Sequence, residues 1–137
     1  MKFVYLEDVA TADVAFKAEG KNLNELFENA AMATAETLAN TKTIKQKVIK
    51  RVSIEEEDIE QMLYAFLSEI VYLKDADLLF FSKFDVTINN GKLVARMYGE
   101  KVNDQIELRT DVKAVTMYML KVENKKDKCC ATVVLDL

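Results

Sequence analysis

The segment from Ile59 to Val71 constrains the fold most strongly, because apolar residues occupy every position that one helix face requires. These residues recur at spacings of three and four positions: Ile59, Met62, Leu63, Phe66, Leu67, Ile70 and Val71. That spacing is typical of an amphipathic helix with one buried face. Four acids at 55–58 come just before it, where the helix dipole favours negative charge. The pattern therefore predicts a helix that must pack against an apolar surface.

The rest of the chain combines one further helix with alternating segments. Asn22 and Glu25 have the spacing of a capping box, which predicts the start of a helix that runs to about Leu38. Apolar and polar residues alternate, as in half-buried strands, at 3–5, 14–18, 45–54, 78–88, 93–98, 112–122 and 131–135. This order predicts an α+β fold: two helices packed on a mostly antiparallel mixed β-sheet, in a single two-layer domain spanning 1–137.

Two of the predicted strands have distinctive faces. In the strand at 112–122, alternation predicts that one face carries Ala114, Thr116, Tyr118 and Leu120. The strand at 45–54 has a basic outer edge formed by Lys45, Lys47, Lys50 and Arg51. Such an edge is most simply a solvated face, although it could also dock an acidic partner.

Composition excludes several classes of function. The chain of 137 residues has a formal net charge of −4, which argues against unaided nucleic-acid binding. It contains no histidine, which removes Ser-His-Asp and Cys-His catalysis and imidazole metal ligation. Its three glycines are too scattered for a phosphate-binding loop. Early acids and the absence of a long apolar run predict a cytoplasmic protein.

The two cysteines, Cys129 and Cys130, are adjacent in the sequence. Neighbours on a strand point to opposite faces, so the two suit neither a structural disulfide nor a zinc site. We expect both to act as small apolar core residues.

Carboxylates among small or apolar residues are the best candidates for a site. Asp13 stands at the start of a predicted strand beside small residues, where a turn or strand cap is the simpler interpretation. Asp136 lies beside the terminal carboxylate of Leu137 in a segment that stays apolar to its end. Two adjacent anions need a cation or a lysine, and hard oxygen ligands suit calcium or magnesium. The simpler alternative is a solvated acidic end. Lys113, otherwise a water-facing strand residue, could balance these acids.

These segments resemble the archease family over the whole chain. The similar segments are Thr11-Ala12-Asp13, Leu26-Phe27-Glu28-Asn29-Ala30-Ala31, Asp111-Val112-Lys113-Ala114-Val115-Thr116 and Val133-Val134-Leu135-Asp136-Leu137. They occur in the family's order. One departure is Ala10, which stands where many members have histidine.

The resemblance implies a non-catalytic protein that assists the GTP-dependent tRNA-splicing RNA ligase, by promoting its guanylylation and multiple turnover. It implies a divalent cation held by Asp13, Asp136 and Leu137. It also implies functional roles in ligase activation for Lys113 and for Asp8, although the spacing before Thr11 differs. Because Ala10 replaces histidine, we expect an all-oxygen site that favours Ca²⁺, with Mg²⁺ or Mn²⁺ as alternatives.

Two other functions are alternatives to activation of the ligase. One is a general chaperone of RNA-modifying enzymes such as a tRNA methyltransferase, which would protect clients stoichiometrically. The other is an autonomous metal-dependent hydrolase, which the missing histidine and few candidate acids disfavour. For this protein we expect neither direct nucleic-acid binding nor a membrane.

Overall fold

The computed structural model describes residues 2–6 and 13–137, which contain two α-helices and seven strands. Their bounds are β1 Phe3–Leu6, β2 Asp13–Gly20, α1 Leu23–Leu38, β3 Val48–Glu55, α2 Ile59–Asp77, β4 Leu79–Asn89, β5 Lys92–Lys101, β6 Ala114–Asn124 and β7 Cys129–Asp136. A single 3₁₀ turn, Thr41–Thr43, follows α1. Neither helix in this described part is long and apolar enough to cross a membrane.

The strands form two antiparallel sheets. One has the order β1-β2-β7-β6 and the other the order β3-β5-β4. Every strand pairing in the described residues is antiparallel. The α+β class with two helices and antiparallel pairing is therefore confirmed, although the strands are divided between two sheets where one was expected. Alternation within a strand shows which face is apolar, but it does not show which strand lies alongside.

The core forms where the apolar faces of the two helices pack against each other and against the strands. The stripe predicted for α2 is buried at Met62, Leu63, Phe66, Leu67, Ile70 and Val71. Phe66 stacks on Phe27 of α1 and meets Phe84 of β4 edge-on. Asn22 caps α1 by accepting from the Glu25 amide at 2.9 Å, as the capping-box spacing predicted. Both cysteines are buried and free.

Side chains from the helices cover two sheet edges. Glu28 and Asn24 of α1 accept hydrogen bonds from the amides of Val86 and Ile88 on β4, at 2.8 and 2.9 Å. Glu60 of α2 accepts from the amide of Val122 on β6 at 2.8 Å. Edge strands present main-chain groups that invite pairing with other chains. These three carboxylate and amide side chains therefore dock the helices and close two edges at once.

A bulge in β6 corrects one sequence prediction. The register shifts between Thr116, which pairs with Val134, and Lys121, which pairs with Thr132. Four residues of β6, at 117–120, thus stand opposite one residue of β7. Met119 takes a left-handed φ of 58°. Leu120 consequently does not continue the face of Ala114 and Thr116 but packs partly against the core, because a bulge breaks the period of two.

Truncation of Phe66 should test how α2 faces the core. We expect Phe66→Ala to lower the free energy of unfolding by about 3 to 5 kcal/mol, because a fully buried aromatic ring leaves a cavity. Tyr72→Ala, on the exposed face of the same helix, should cost less than about 0.5 kcal/mol. Urea denaturation measures both values. Equal losses would contradict this orientation of α2.

Candidate functional site

The pairing of β2 with β7 places the two candidate aspartates side by side. Asp13, at the start of β2, lies directly opposite Asp136, at the end of β7. Directly opposed residues of an antiparallel pair point to the same face, with Cβ atoms about 5 Å apart. Both side chains are partly buried. The structure therefore brings together two acids that are more than 120 positions apart in the sequence.

The acid pair lies on the sheet face that is directed away from the helices. Phe16 and Val133 are opposed and belong to the core on the helix side, so the alternation directs Asp13 and Asp136 to the other side. On that face, Asp136 lies opposite Asp13 of β2 on one side and opposite Ala114 of β6 on the other. The methyl group of Ala114 is small, which leaves space beside the carboxylates. The side chain of Leu137 instead packs against the core.

The main chain of Lys113 is hydrogen-bonded to Asp136, one of the two acids. Its amide donates to the Asp136 carbonyl oxygen at 2.8 Å, one residue before β6 begins. Its side chain is exposed and lines a shallow cleft of about 250 Å³ together with Tyr72 and Asp75 of α2. Asp13, Asp136 and Lys113 thus come from three adjacent strands or their ends.

A buried lysine holds the segment that precedes Lys113. The ammonium of Lys74, near the end of α2, donates to the Asp75 and Asp111 carboxylates at 2.5 Å each and to the Val112 carbonyl at 2.8 Å. Burial lowers the pKa of Lys74, but its bonds to Asp111 and Asp75 outweigh burial and leave that pKa above its ordinary value. The charged lysine therefore anchors the entry to β6 on α2.

An ion pair between Glu36 of α1 and Arg109 lies beside the start of β2. Glu36 of α1 accepts from the Arg109 guanidinium at 2.6 Å, and from the Thr41 amide and hydroxyl. Tyr5, Asp13, Glu36 and Arg109 line one cleft of about 310 Å³. The last turn of α1 has no basic residue of its own, so Arg109 brings a cation to the negative end of the helix dipole.

The surroundings of the cleft shift the pKa values of Glu36 and Tyr5. Burial raises the pKa of Glu36, but the hydrogen bonds from Thr41 and the contact with Arg109 outweigh it and leave the pKa below its ordinary value. Burial raises the pKa of Tyr5, and the hydrogen bond to Thr37 opposes this only in part. Glu36 is consequently an anion, and Tyr5 a neutral hydroxyl, at neutral pH.

The acid pair has the chemistry that a hard divalent cation needs, but only part of the shell. Calcium takes six to eight oxygen ligands, and two opposed carboxylates can supply some of them. No lysine or arginine of the described residues lies within ion-pair distance of Asp13 or Asp136. In the same residues, no group of three or more acids, cysteines or histidines could hold a metal. Main-chain or water oxygens would have to complete the shell.

Some expected residues lie outside the described part of the chain, and some contacts were not foreseen. Asp8, Ala10 and the Thr11-Ala12 dipeptide fall in the segment 7–12, which is not described. Lys74 and Arg109 were missed. The sequence does give a signal for Lys74, because it follows Ile70 and Val71 at helical spacing and so continues the buried stripe. Arg109 gives no comparable local signal.

Comparison with known proteins gives matches over almost the whole chain. A profile of the archease protein family matches residues 3–137. "Protein archease" of Sulfurisphaera tokodaii is 38% identical over 139 residues, which covers 99% of each chain. "Protein archease" of Methanothermobacter thermautotrophicus is 37% identical over 131 residues, which covers 93% of this chain and 94% of that one.

Two solved structures are similar to this fold. The solution structure of protein 1598 of Methanobacterium thermoautotrophicum has a TM-score of 0.87 and 35% identity, and the match covers 99% of each chain. The crystal structure of a Thermotoga maritima protein described as "an archease, possible chaperone" has a TM-score of 0.67 and covers 93% of each chain. At 22% identity, the second likeness shows the fold alone.

Loss of the Glu36 charge should destabilise the protein in a pH-dependent way. A carboxyl whose pKa is lowered by folding adds stability that is complete above the unfolded value of 4.5 and is lost as pH falls through the lower folded pKa. We expect Glu36→Gln to cost about 1 to 2 kcal/mol at pH 7, because Thr41 and Arg109 lose a charged acceptor. The deficit should shrink below pH 4.5. Urea titrations across pH, with the exposed Glu107→Gln as control, measure it; a deficit independent of pH would contradict the assignment.

Proposed function

Because this chain belongs to the archease family, we propose that it is a non-catalytic activator of the GTP-dependent tRNA-splicing RNA ligase. In this proposal it promotes ligase guanylylation and multiple turnover. The observation that supports it most is the grouping of Asp13, Asp136 and Lys113 at one end of a sheet. The two carboxylates lie on one face of this sheet end, whereas the Lys113 side chain lies on the helix side, beside Tyr72 and Asp75. Charges of both signs around one sheet end suit docking to a charged site in another protein better than independent chemistry.

The proposed cation site consists of Asp13, Asp136 and a main-chain oxygen of Leu137. Their oxygen atoms suit Ca²⁺, and Mg²⁺ or Mn²⁺ could replace it. A bound cation would neutralise the repulsion between the opposed aspartates, which otherwise lie about 5 Å apart at their Cβ atoms. We propose Asp8 as a further functional residue, on the resemblance to the family alone.

The proposed activation requires only that the protein bind one ligase conformation better than another. A ligand shifts a conformational equilibrium by its difference in affinity for the two states. A difference of about 1.4 kcal/mol shifts the equilibrium tenfold. Lys113 and the acid pair would supply that difference by contacting charged groups that the guanylate-accepting state presents. Lys74 would contribute by holding Asp111 and Val112, and so the start of Lys113, in place.

A second candidate is a chaperone of RNA-modifying enzymes, such as a tRNA methyltransferase. The bulge of β6 favours it, because Met117, Tyr118 and Met119 are 45%, 63% and 51% exposed. Exposed methionine and tyrosine side chains can cover apolar surface on varied clients. A chaperone would act in equal amounts with its client, whereas an activator would act at a low molar ratio.

Calcium should raise the melting temperature, since any ligand of the native state stabilises it. Asp136→Asn removes one anionic ligand and should weaken the shift, whereas Asp127→Asn in the exposed turn after β6 should not. Differential scanning calorimetry against a series of calcium concentrations measures this. A melting curve that millimolar calcium leaves unmoved would rule out the cation site and leave the ligase proposal to its own test.

Multiple-turnover ligation with limiting ligase tests the activator directly. We expect Asp13→Ala, Lys113→Ala and Asp136→Ala each to abolish stimulation while circular dichroism shows an unchanged fold. Asp127→Ala and Lys126→Ala, which change the same charges in an exposed turn, should stimulate fully.

The alternatives give different results in that assay. If all three site variants stimulate like the unsubstituted protein, the site assignment is wrong. If the unsubstituted protein itself gives no stimulation, the chaperone function is favoured. Protection of a methyltransferase only at equal molar amounts would then support it.

A further inference from the structure

We propose that β3 is a self-recognition edge, through which two copies of this chain pair antiparallel into a symmetric dimer centred on Ser53. The proposal concerns a different sheet from the acid pair and uses none of its residues. It rests on three observations. No helix side chain of the described residues covers the edge of β3, the main-chain groups of Arg51, Ser53 and Glu55 all face that edge, and the charges of the strand are antisymmetric about Ser53.

β3 differs from the other three sheet edges. β4 and β6 are edge strands whose outward amides are capped by Glu28, Asn24 and Glu60. β1 has only four residues. β3 has eight residues, and within the described chain no helix side chain donates to or accepts from its main chain. A long uncovered edge is a template for another strand.

The pairing with β5 shows which groups of β3 are directed outward. The Glu56 amide donates to the Gly91 carbonyl at 2.9 Å, in the same register that opposes Glu55 to Lys92. Hydrogen-bonded and non-bonded pairs alternate along an antiparallel ladder. The main-chain groups of the even-numbered residues therefore face β5, and those of Arg51, Ser53 and Glu55 face the open edge.

The sequence of this edge is antisymmetric in charge about Ser53. It reads Lys50-Arg51-Val52-Ser53-Ile54-Glu55-Glu56. In an antiparallel copy centred on Ser53, each basic residue meets an acid: Arg51 lies opposite Glu55, and Lys50 opposite Glu56. Val52 lies opposite Ile54, and both already pack partly against the core. Opposite charges and apolar pairs directly across strands stabilise a sheet.

An internal conflict in the monomer supports this arrangement. Arg51 lies directly opposite Arg96 of β5, and like charges in that position are unfavourable. Asp85 of β4 lies opposite Arg96 on its other side, so Arg96 has an acid across the sheet, whereas the other side of Arg51 faces the open edge. Neither guanidinium forms an ion pair with the described residues. In the proposed dimer, Glu55 of the second copy would lie on the free side of Arg51 and offset the repulsion.

Other registers and other occupants fit less well. A register centred on Arg51 would oppose the two copies of Arg51. A register centred on Val52 would oppose Arg51 to Ser53 and Lys50 to Ile54, so neither basic residue would meet an acid. A slip of one residue would turn the apolar face outward. An unrelated acidic strand could neutralise Arg51, but it would leave Glu55 and Glu56 beside like charges. The antisymmetry therefore favours a second copy.

Substitution at Ser53 separates edge pairing from folding. Proline removes the Ser53 amide, which faces the open edge, and leaves the bonds to β5 intact. We expect sedimentation equilibrium of the unsubstituted protein to show concentration-dependent association to twice the chain mass of 15.6 kDa. Ser53→Pro should be monomeric with an unchanged circular dichroism spectrum, whereas Ser53→Ala should associate normally.

Charge reversal tests the proposed register. Arg51→Glu and Glu55→Lys should each weaken self-association about tenfold or more, because each places like charges opposite one another twice in the dimer. Their equimolar mixture should associate again. In the mixed dimer the introduced glutamate of one copy lies opposite the introduced lysine of the other, and the remaining Glu55 lies opposite the remaining Arg51. The double variant should also recover.

The outcomes separate the occupants. A protein that stays monomeric up to about 1 mM, near the weakest affinities that count as binding, would overturn the proposal. A dimer that Ser53→Pro leaves unchanged would also overturn it, since another surface must then hold the copies together. If the unsubstituted chain is monomeric and Ser53→Pro alone loses ligase stimulation, the edge receives a strand of another protein.

Discussion

The antiparallel register between β2 and β7 is the constraint on which the rest of the structure depends. It joins eight consecutive pairs, from Asp13 opposite Asp136 to Gly20 opposite Cys129. The same ladder opposes Phe16 to Val133 in the core, so burial on one face fixes the position of the acids on the other. A slip of one residue would bury the acids and expose the core. The candidate site is thus a consequence of core packing.

Local patterns predicted the elements well because their causes are local. The α2 stripe and the Asn22 cap depend on spacings within one or two helical turns. Strand partners depend on residues far apart in sequence, so neither the division into two sheets nor the bulge at 117–120 could be derived. Met117 to Leu120 have ordinary strand residues, and nothing in their composition marks the left-handed turn at Met119.

The candidate site divides in the same way. Asp13 and Asp136 could be named as candidates because acids beside small or apolar residues stand out in the sequence, and the β2–β7 register places them side by side. Lys74 was not, since its partner Asp111 lies 37 positions away and only the fold brings the two together. Its burial is tolerated because two carboxylates and a carbonyl satisfy all three of its donors. An ammonium satisfied in this way holds the start of β6, and with it Lys113, against α2.

The sheet edges differ in how their main-chain groups are covered, and covering them with a carboxylate has an electrostatic cost. Burial raises the pKa of Glu28, and the hydrogen bond from the Val86 amide offsets this only in part, while nearby Asp85 and Glu25 add to the increase. Covering the β4 edge with a carboxylate is therefore unfavourable electrostatically, yet it ties α1 to a second sheet. At the edge of β3, no helix side chain of the described residues bonds the main chain. In the proposed dimer, a second copy would bond the outward main-chain groups of β3, and the basic and acidic residues of the two strands would lie opposite one another. No buried carboxylate is then required.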